Sequence, residues 1–183
     1  GGLLCENNLF AARDHWQQQP GHRQQLCADR GLRPPQDNEL FVSLFIYENE
    51  ALPTLLECWQ HSAVPVRCLV PAGRALNSLQ GVLPDEVCQA GGCWQQGALT
   101  LEILPMTDQA GYDQLLWSCD FNIVRGEDSF LRAQWAARPF LWHIYPQEDE
   151  AHLEKLQAFT ERYCRSMSPE LAAAVRTLFM SFN

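Results

Sequence analysis

The sequence predicts a Rossmann-like α/β domain, a parallel sheet with helices on both faces. Three observations lead there. Apolar runs of strand length alternate with helix-like segments from residue 40 onward. Those runs lack a clean polar–apolar alternation, as expected of strands buried on both faces. The chain has 183 residues, 46% of them hydrophobic, which suits one domain with a substantial core.

The elements follow in order. Residues 1–37 read as a polar lead-in, glutamine-rich in "WQQQPGHRQQL", with one short helix inside. The prolines of "GLRPPQDNE" break any helix there, and the domain proper is expected over 38–183. "LFVSLFIY" (40–47) is a buried strand, and "ALPTLLECWQH" (51–61) a helix that tolerates Pro53 in its first turn. "VRCLV" (66–70) is a strand and "GRALNSLQ" a short helix, while 81–97 reads as a loop around "AGGC". "ALTLEILP" (98–105) is the next strand. The helix "DQAGYDQLLWSC" follows it, with Thr107 or Asp108 as cap. "DFNIV" (120–124) is a strand, Ser129 to Ala137 a helix, and "RPFLWHIY" (138–145) a strand. An amphipathic helix over 148–164 places Leu153, Leu156 and Phe159 inside and His152 on the solvated face, whereas His143 is a core histidine of its strand. Ser168 caps the last helix, with Pro169 at its first position.

Composition narrows the function. Thirteen basic and 22 acidic residues give a formal charge of -9, which argues against a nucleic-acid surface but leaves room for a small anion held by local donors. Six tryptophans and nine phenylalanines argue against disorder. The eight cysteines are scattered without a C-x-x-C pair. Cys88 and Cys93 lie closest, with no nearby histidine to complete a zinc set, so reduced, structural thiols and no metal are expected. No signal peptide or membrane-spanning run is visible, so a cytoplasmic protein without membrane contact is the expectation. The first residue is not methionine, and the chain is expected to be part of something larger.

Rossmann-like domains bind ligands at the carboxyl ends of their strands. The junction "FNIVRGEDSFLRAQWA" (121–136) is such a place. The first amides of a helix lack internal partners and, with the helix dipole, favour an anion. Arg125 adds a fork suited to phosphate, and Gly126 allows close backbone approach. A diphosphate is expected on Arg125 and the amides of Asp128 and Ser129. Asp128 is equally readable as an N-cap alone. Glu127 can accept from sugar hydroxyls or pair with Arg125. Tyr47 and Tyr145 end two strands, where they either flank a planar base or serve as ordinary strand aromatics. Met106 and Gln109 follow the strand at 98–105, and Gln109 either reads a base edge or merely starts a helix. No nucleophile–base motif appears, which favours a binding part of a larger enzyme over a self-contained hydrolase.

The segments "LFVSLFIYEN", "YDQLLWSCDFNIVRGEDSFLRAQWAARPFLWHIYPQEDEAHLEKLQAF" and "MSPELAAAVRTLF" closely resemble the protein-arginine rhamnosyltransferases that modify bacterial elongation factor P. The resemblance covers essentially the whole chain but only the C-terminal half of that family's protein. It implies one half of a two-domain GT-B glycosyltransferase. The implied reaction is inverting transfer of rhamnose from dTDP-β-L-rhamnose, without a cofactor, to an arginine of elongation factor P. By the same resemblance, Phe45 and Tyr47 line the nucleotide pocket, Gln109 lies in the thymine-contacting segment and Tyr145 packs near the nucleoside. Arg125, Glu127, Asp128 and Ser129 form the phosphate- and sugar-contacting motif, with Arg125 and Glu127 closest to the chemistry. Met106 stands where the family has a phenylalanine stacked on the base. The family's aspartate general base and much of its acceptor surface lie in the other half, so this chain alone is expected to be inactive. The family also continues beyond Asn183. A different class of function, a non-catalytic nucleotide-binding regulatory module, is the alternative.

Overall fold

The alternation of strand and helix signals becomes a six-stranded sheet with eight helices among the described residues. The computed structural model describes residues 5–73, 75–147 and 151–183, so expectations falling on 1–4, Arg74 and 148–150 lie outside it. Helices α1 (Leu9–Gln18) and α2 (His22–Asp29) come first. They are followed by β1 (Leu40–Leu44), α3 (Leu52–Gln60), β2 (Val66–Pro71) and α4 (Ala75–Leu79). Then come β3 (Cys93–Gln96), β4 (Leu99–Leu104), α5 (Gln109–Ser118) and β5 (Phe121–Arg125). The chain closes with α6 (Asp128–Trp135), β6 (Phe140–His143), α7 (Ala151–Tyr163) and α8 (Pro169–Phe182).

The strand order is β3-β4-β2-β1-β5-β6. All neighbours pair in parallel except β3, which lies antiparallel on β4 at the edge. The five parallel strands are therefore doubly wound. The chain builds outward from β1 through β2 to β4, then returns to β5 on the other side of β1. That return makes a topological switch point between β1 and β5. It is fastened from within. Ser43 and Asn122 are in register, fully buried, and joined by a 2.6 Å hydrogen bond, while the Asn122 amide donates to the Leu116 carbonyl at 3.1 Å. A satisfied polar pair between apolar strands specifies one register, because any slip leaves both groups buried without partners.

The two faces have separate cores. Phe41, Leu69 and Leu104 pack with Leu115 and Cys119 of the α5 region and with Leu26 and Cys27 of α2. Val42, Leu44 and Ile46, one residue out of phase along β1, join Leu52, Leu56, Phe179 and Phe182. An aromatic chain ties α6, β6, α7 and α8 together. Phe130 stacks on Trp142 at 4.0 Å, Phe159 meets both rings, and Phe179 touches Phe159. Both expected caps are present, Asp108 accepting from the Gly111 amide and Ser168 from the Leu171 amide, with Pro169 opening α8.

Several expectations are corrected. The stretch read as a loop at 81–97 contains β3, whose exposed "CWQQ" carries no strand periodicity and is held by pairing with β4. The segment 1–37 carries two helices rather than one, and both pack on α5. His152, expected on a solvated face, is buried, because its Nδ1 accepts the Gln147 amide at 3.0 Å. The buried stripe of α7 runs His152, Leu156, Thr160, and Leu153 is only half-buried. His143 is a core histidine as expected, lying edge-on to Tyr47 and Phe182. All eight cysteines are free, and Cys27, Cys68, Cys119 and Cys164 are buried. No helix among the described residues is long and apolar enough to cross a membrane.

Candidate functional site

Strand β5 ends one residue later than its sequence suggests, at Arg125, and α6 begins one residue earlier, at Asp128. The connection is only Gly126 and Glu127. Gly126 turns the chain at φ 64°, a left-handed conformation in which a side chain is strained. A Cβ there would also lie 3.1 Å from the Tyr47 hydroxyl. The Trp142 indole donates to the Gly126 carbonyl at 2.8 Å and pins the turn to β6. Glu127 occupies the N-cap position without a side-chain cap bond. Asp128 is the first helical residue, so the N-cap reading of Asp128 is corrected. A carboxylate in the first turn still complements the helix dipole.

Arg125 projects at the switch point. Its guanidinium carbon lies 4.3 Å from the centre of the Phe45 ring and 4.9 Å from that of Tyr47, both just past the end of β1. Stacking on two rings limits the rotamers of a long side chain and keeps its charge at the carboxyl edge of the sheet. Tyr47 is held in turn. Ser78 of α4 donates to its carbonyl at 2.9 Å, and its ring meets His143 and Tyr145 edge-on at 5.5 and 5.4 Å. Burial, with a smaller contribution from the Arg125 charge, pushes the His143 imidazole down to about 4. His143 is therefore neutral beneath this cluster at ordinary pH.

Beside Arg125 opens a cleft of about 190 Å³. Phe45, Met106, Gln109, Asp128 and Ser129 line it, all proposed from sequence. Its two sides are the first turns of α5 and α6, so two helix N-termini face the same space. Met106 is 69% exposed and gives the cleft a polarisable apolar edge. Tyr47 and Tyr145 line an adjoining depression with Glu48, Asn77 and Pro146. Tyr145 and Glu127 also border a third, towards Gln147 and Lys155 of α7. The predicted residues thus fall in three hollows, of which the second and third share Tyr145, rather than in one pocket.

Five lining residues are not site candidates from the sequence: Pro71, Tyr112 and Arg132, and Thr107 and Asp108, which read there only as helix caps. Tyr112 lies three residues after Gln109, and Arg132 three after Ser129, so helical spacing from the named residues was the available signal. The Tyr112 hydroxyl is buried beside Ser129, and burial raises its pKa. Chemically, the arrangement offers a fixed guanidinium and helix amides for an anion, rings for a planar group and an exposed carboxylate, Glu127, at the rim.

Comparisons with known proteins identify the family. The model of the elongation factor P (EF-P) rhamnosyltransferase family EarP matches residues 1–183. A protein-arginine rhamnosyltransferase of Shewanella oneidensis is 53% identical, aligned with 100% of this chain and 48% of its own length. Its counterpart in Pseudomonas aeruginosa is 44% identical, with the same coverage of 100% and 48%. A solved structure described as the structural basis for EarP-mediated arginine glycosylation of translation elongation factor EF-P superposes with a TM-score of 0.90. It is 41% identical and aligns with 100% of this chain and 57% of that one. The chain thus spans about half the length of the relatives it matches. It belongs to the EF-P rhamnosyltransferase family EarP.

Proposed function

We propose that this chain is the donor-binding half of an inverting GT-B glycosyltransferase that moves rhamnose from dTDP-β-L-rhamnose to an arginine of elongation factor P. The observation that carries the reading is the convergence at the β1–β5 switch point. There the stacked Arg125, the first turn of α6 and the rings of Phe45 and Tyr47 meet. The acceptor and the sugar rest on family membership and the names of the relatives.

In this reading the diphosphate sits on Arg125 and the amides of Asp128 and Ser129, and the thymine reaches towards Gln109 under Met106. A cleft of about 190 Å³ is smaller than the ~300–1,000 Å³ of sites that enclose a ligand, which suits one wall of a site closed by a second domain. As the bond from the anomeric carbon to the diphosphate oxygen breaks, Arg125 and the helix amides take up the growing negative charge. The arginine nitrogen of the acceptor forms the new bond from the opposite face. Its proton passes to a carboxylate, because a guanidinium is protonated and non-nucleophilic in water. Glu127, exposed at the rim, orients the sugar or the incoming guanidinium, and the general base comes from the other half. Such a reaction on a translation factor belongs in the cytoplasm.

Calorimetric titration of the chain with dTDP tests the reading. Saturable binding is expected, with thymidine much weaker. A folded sample that fails to bind millimolar dTDP rejects a preformed donor site. In the longer enzyme, Glu127→Gln is expected to lower single-turnover transfer more than dTDP affinity, because dTDP lacks both the rhamnose and the acceptor.

A further inference from the structure

The two sides of the cleft meet where the Tyr112 hydroxyl lies beside Ser129, and an ion pair joins them further along the helices. Asp113 lies four residues after Gln109 on α5, and Arg132 three residues after Ser129 on α6. Arg132 Nη1 donates to Asp113 Oδ2 at 2.6 Å, and the two side chains are only 10% and 6% exposed. The other guanidinium nitrogen binds Glu6, from the segment just before α1. Arg132 borders the cleft, whereas Asp113 lines a separate hollow on the α1 side.

Neither helix needs this pair to dock on the sheet. Helix α5 is seated by Leu115, Leu116 and Trp117, and α6 by Ala133 and the stacked Phe130. The α5 anchors lie towards the far end of that helix, whereas Phe130 sits in the first turn of α6. At the cleft end, residues 105–110 and Glu127 and Asp128 are exposed, and the first-turn rings Tyr112 and Phe130 pack on Phe45 and Trp142 rather than on each other, so the separation of the two turns is left to contacts between the helices. A buried ion pair is a weak source of net stability, since desolvation offsets its attraction. Its fork geometry, by contrast, fixes a distance and an angle.

We infer that Asp113 and Arg132, steadied by Glu6, are positioning residues that set the spacing between the base-facing turn of α5 and the phosphate-facing turn of α6. The inference rests on the nucleotide reading of the cleft. A ligand that touches both turns gains from their fixed spacing, because its second contact forms at high effective concentration. A ligand that touches one turn gains nothing from it.

That asymmetry separates spacing from folding. In Asp113→Asn the chain should bind dTDP about tenfold more weakly, while thymidine and inorganic pyrophosphate each change by less than about twofold. Arg132→Lys, which keeps the charge but loses the fork, should behave alike. Glu6→Gln alters an exposed carboxylate, cannot prevent folding, and should give the same asymmetry at about threefold. Calorimetry for dTDP and NMR titration for the two fragments measure these, with thermal unfolding as the check on structure. Unchanged dTDP affinity in Glu6→Gln and in any folded Asp113→Asn sample overturns the inference. So does a parallel fall for all three ligands, which would mark Arg132 as a direct phosphate ligand or a fold determinant. Failure of the unaltered chain to bind dTDP would instead remove the nucleotide reading itself, and this inference with it.

Discussion

Arg67 and Arg125 sit at opposite ends of the same sheet, and their surroundings differ in kind. Arg67, near the start of β2, is fully buried. It contacts Glu39 at 3.2 Å and Glu102 at 3.6 Å, and donates to the carbonyls of Arg33 and Pro34 at 2.8 and 3.0 Å. Arg33 adds a second cation on Glu39, and Phe41 covers the guanidinium from one side. Arg125, at the end of β5, is half-buried and stacked between two rings beside an open cleft. The amino end of the sheet spends its arginine on structure, closing the "GLRPPQDNE" linker over the strands. The carboxyl end stacks its arginine on two aromatic faces, which fix its position beside the cleft. What an arginine does depends on which end of the sheet it occupies and on whether it closes the core or borders a cleft.

The comparison can be broken most forcefully at Arg67. Arg67→Met leaves Glu102 buried without its cation and Glu39 with Arg33 alone, and urea unfolding should show a loss of about 3–5 kcal/mol. dTDP binding by the folded fraction should stay within about twofold, because the change lies at the far end of the sheet. A loss below ~1 kcal/mol would contradict a structural role for the cluster.

Acid titration should separate the two ends. His143 is depressed from the ordinary histidine range to about 4. The unfolded chain therefore binds a proton first, and stability falls as pH drops from about 6.5 to about 4, then levels for this group. The ceiling on that loss is about 3 kcal/mol. Glu39 is also depressed: burial pushes its carboxyl up, but the Gln36 amide, Arg33 and Arg67 outweigh it. Its contribution is present above the ordinary glutamate range and is lost only as pH falls further. His143→Phe should flatten the first phase of a stability–pH curve and leave the second. Retention of both phases would place the proton uptake elsewhere.

Arg125→Ala should cost about 1.5–3 kcal/mol of dTDP binding, the scale of a charged hydrogen bond, with thymidine nearly unaffected. Equal losses for both ligands would make Arg125 a second structural arginine and erase the contrast with Arg67. The smallest effect is expected at the turn itself. Gly126→Ala imposes a side chain at φ 64° against the Tyr47 hydroxyl and should lower stability by about 1 kcal/mol in thermal unfolding. Tyr47 should move with it, visible as a change in ring NMR shifts.

By itself the sequence determined what depends on neighbours along the chain. The alternation of strands and helices, the Asp108 and Ser168 caps and the Arg125–Ser129 junction were all legible. Hydrophobic period, capping chemistry and a glycine turn act over a few residues. Tertiary structure alone decided what depends on partners far away. Pairing with β4 made a strand of the polar "CWQQ", and the Gln147 amide drew His152 inward. The return of the chain to β1 brought Phe45 and Tyr47 onto Arg125, and packing of α5 against α6 joined Asp113 to Arg132. These contacts link residues whose local patterns are independent of one another. Strand order and helix docking are settled by burial of the whole core, so no short window of sequence carries them.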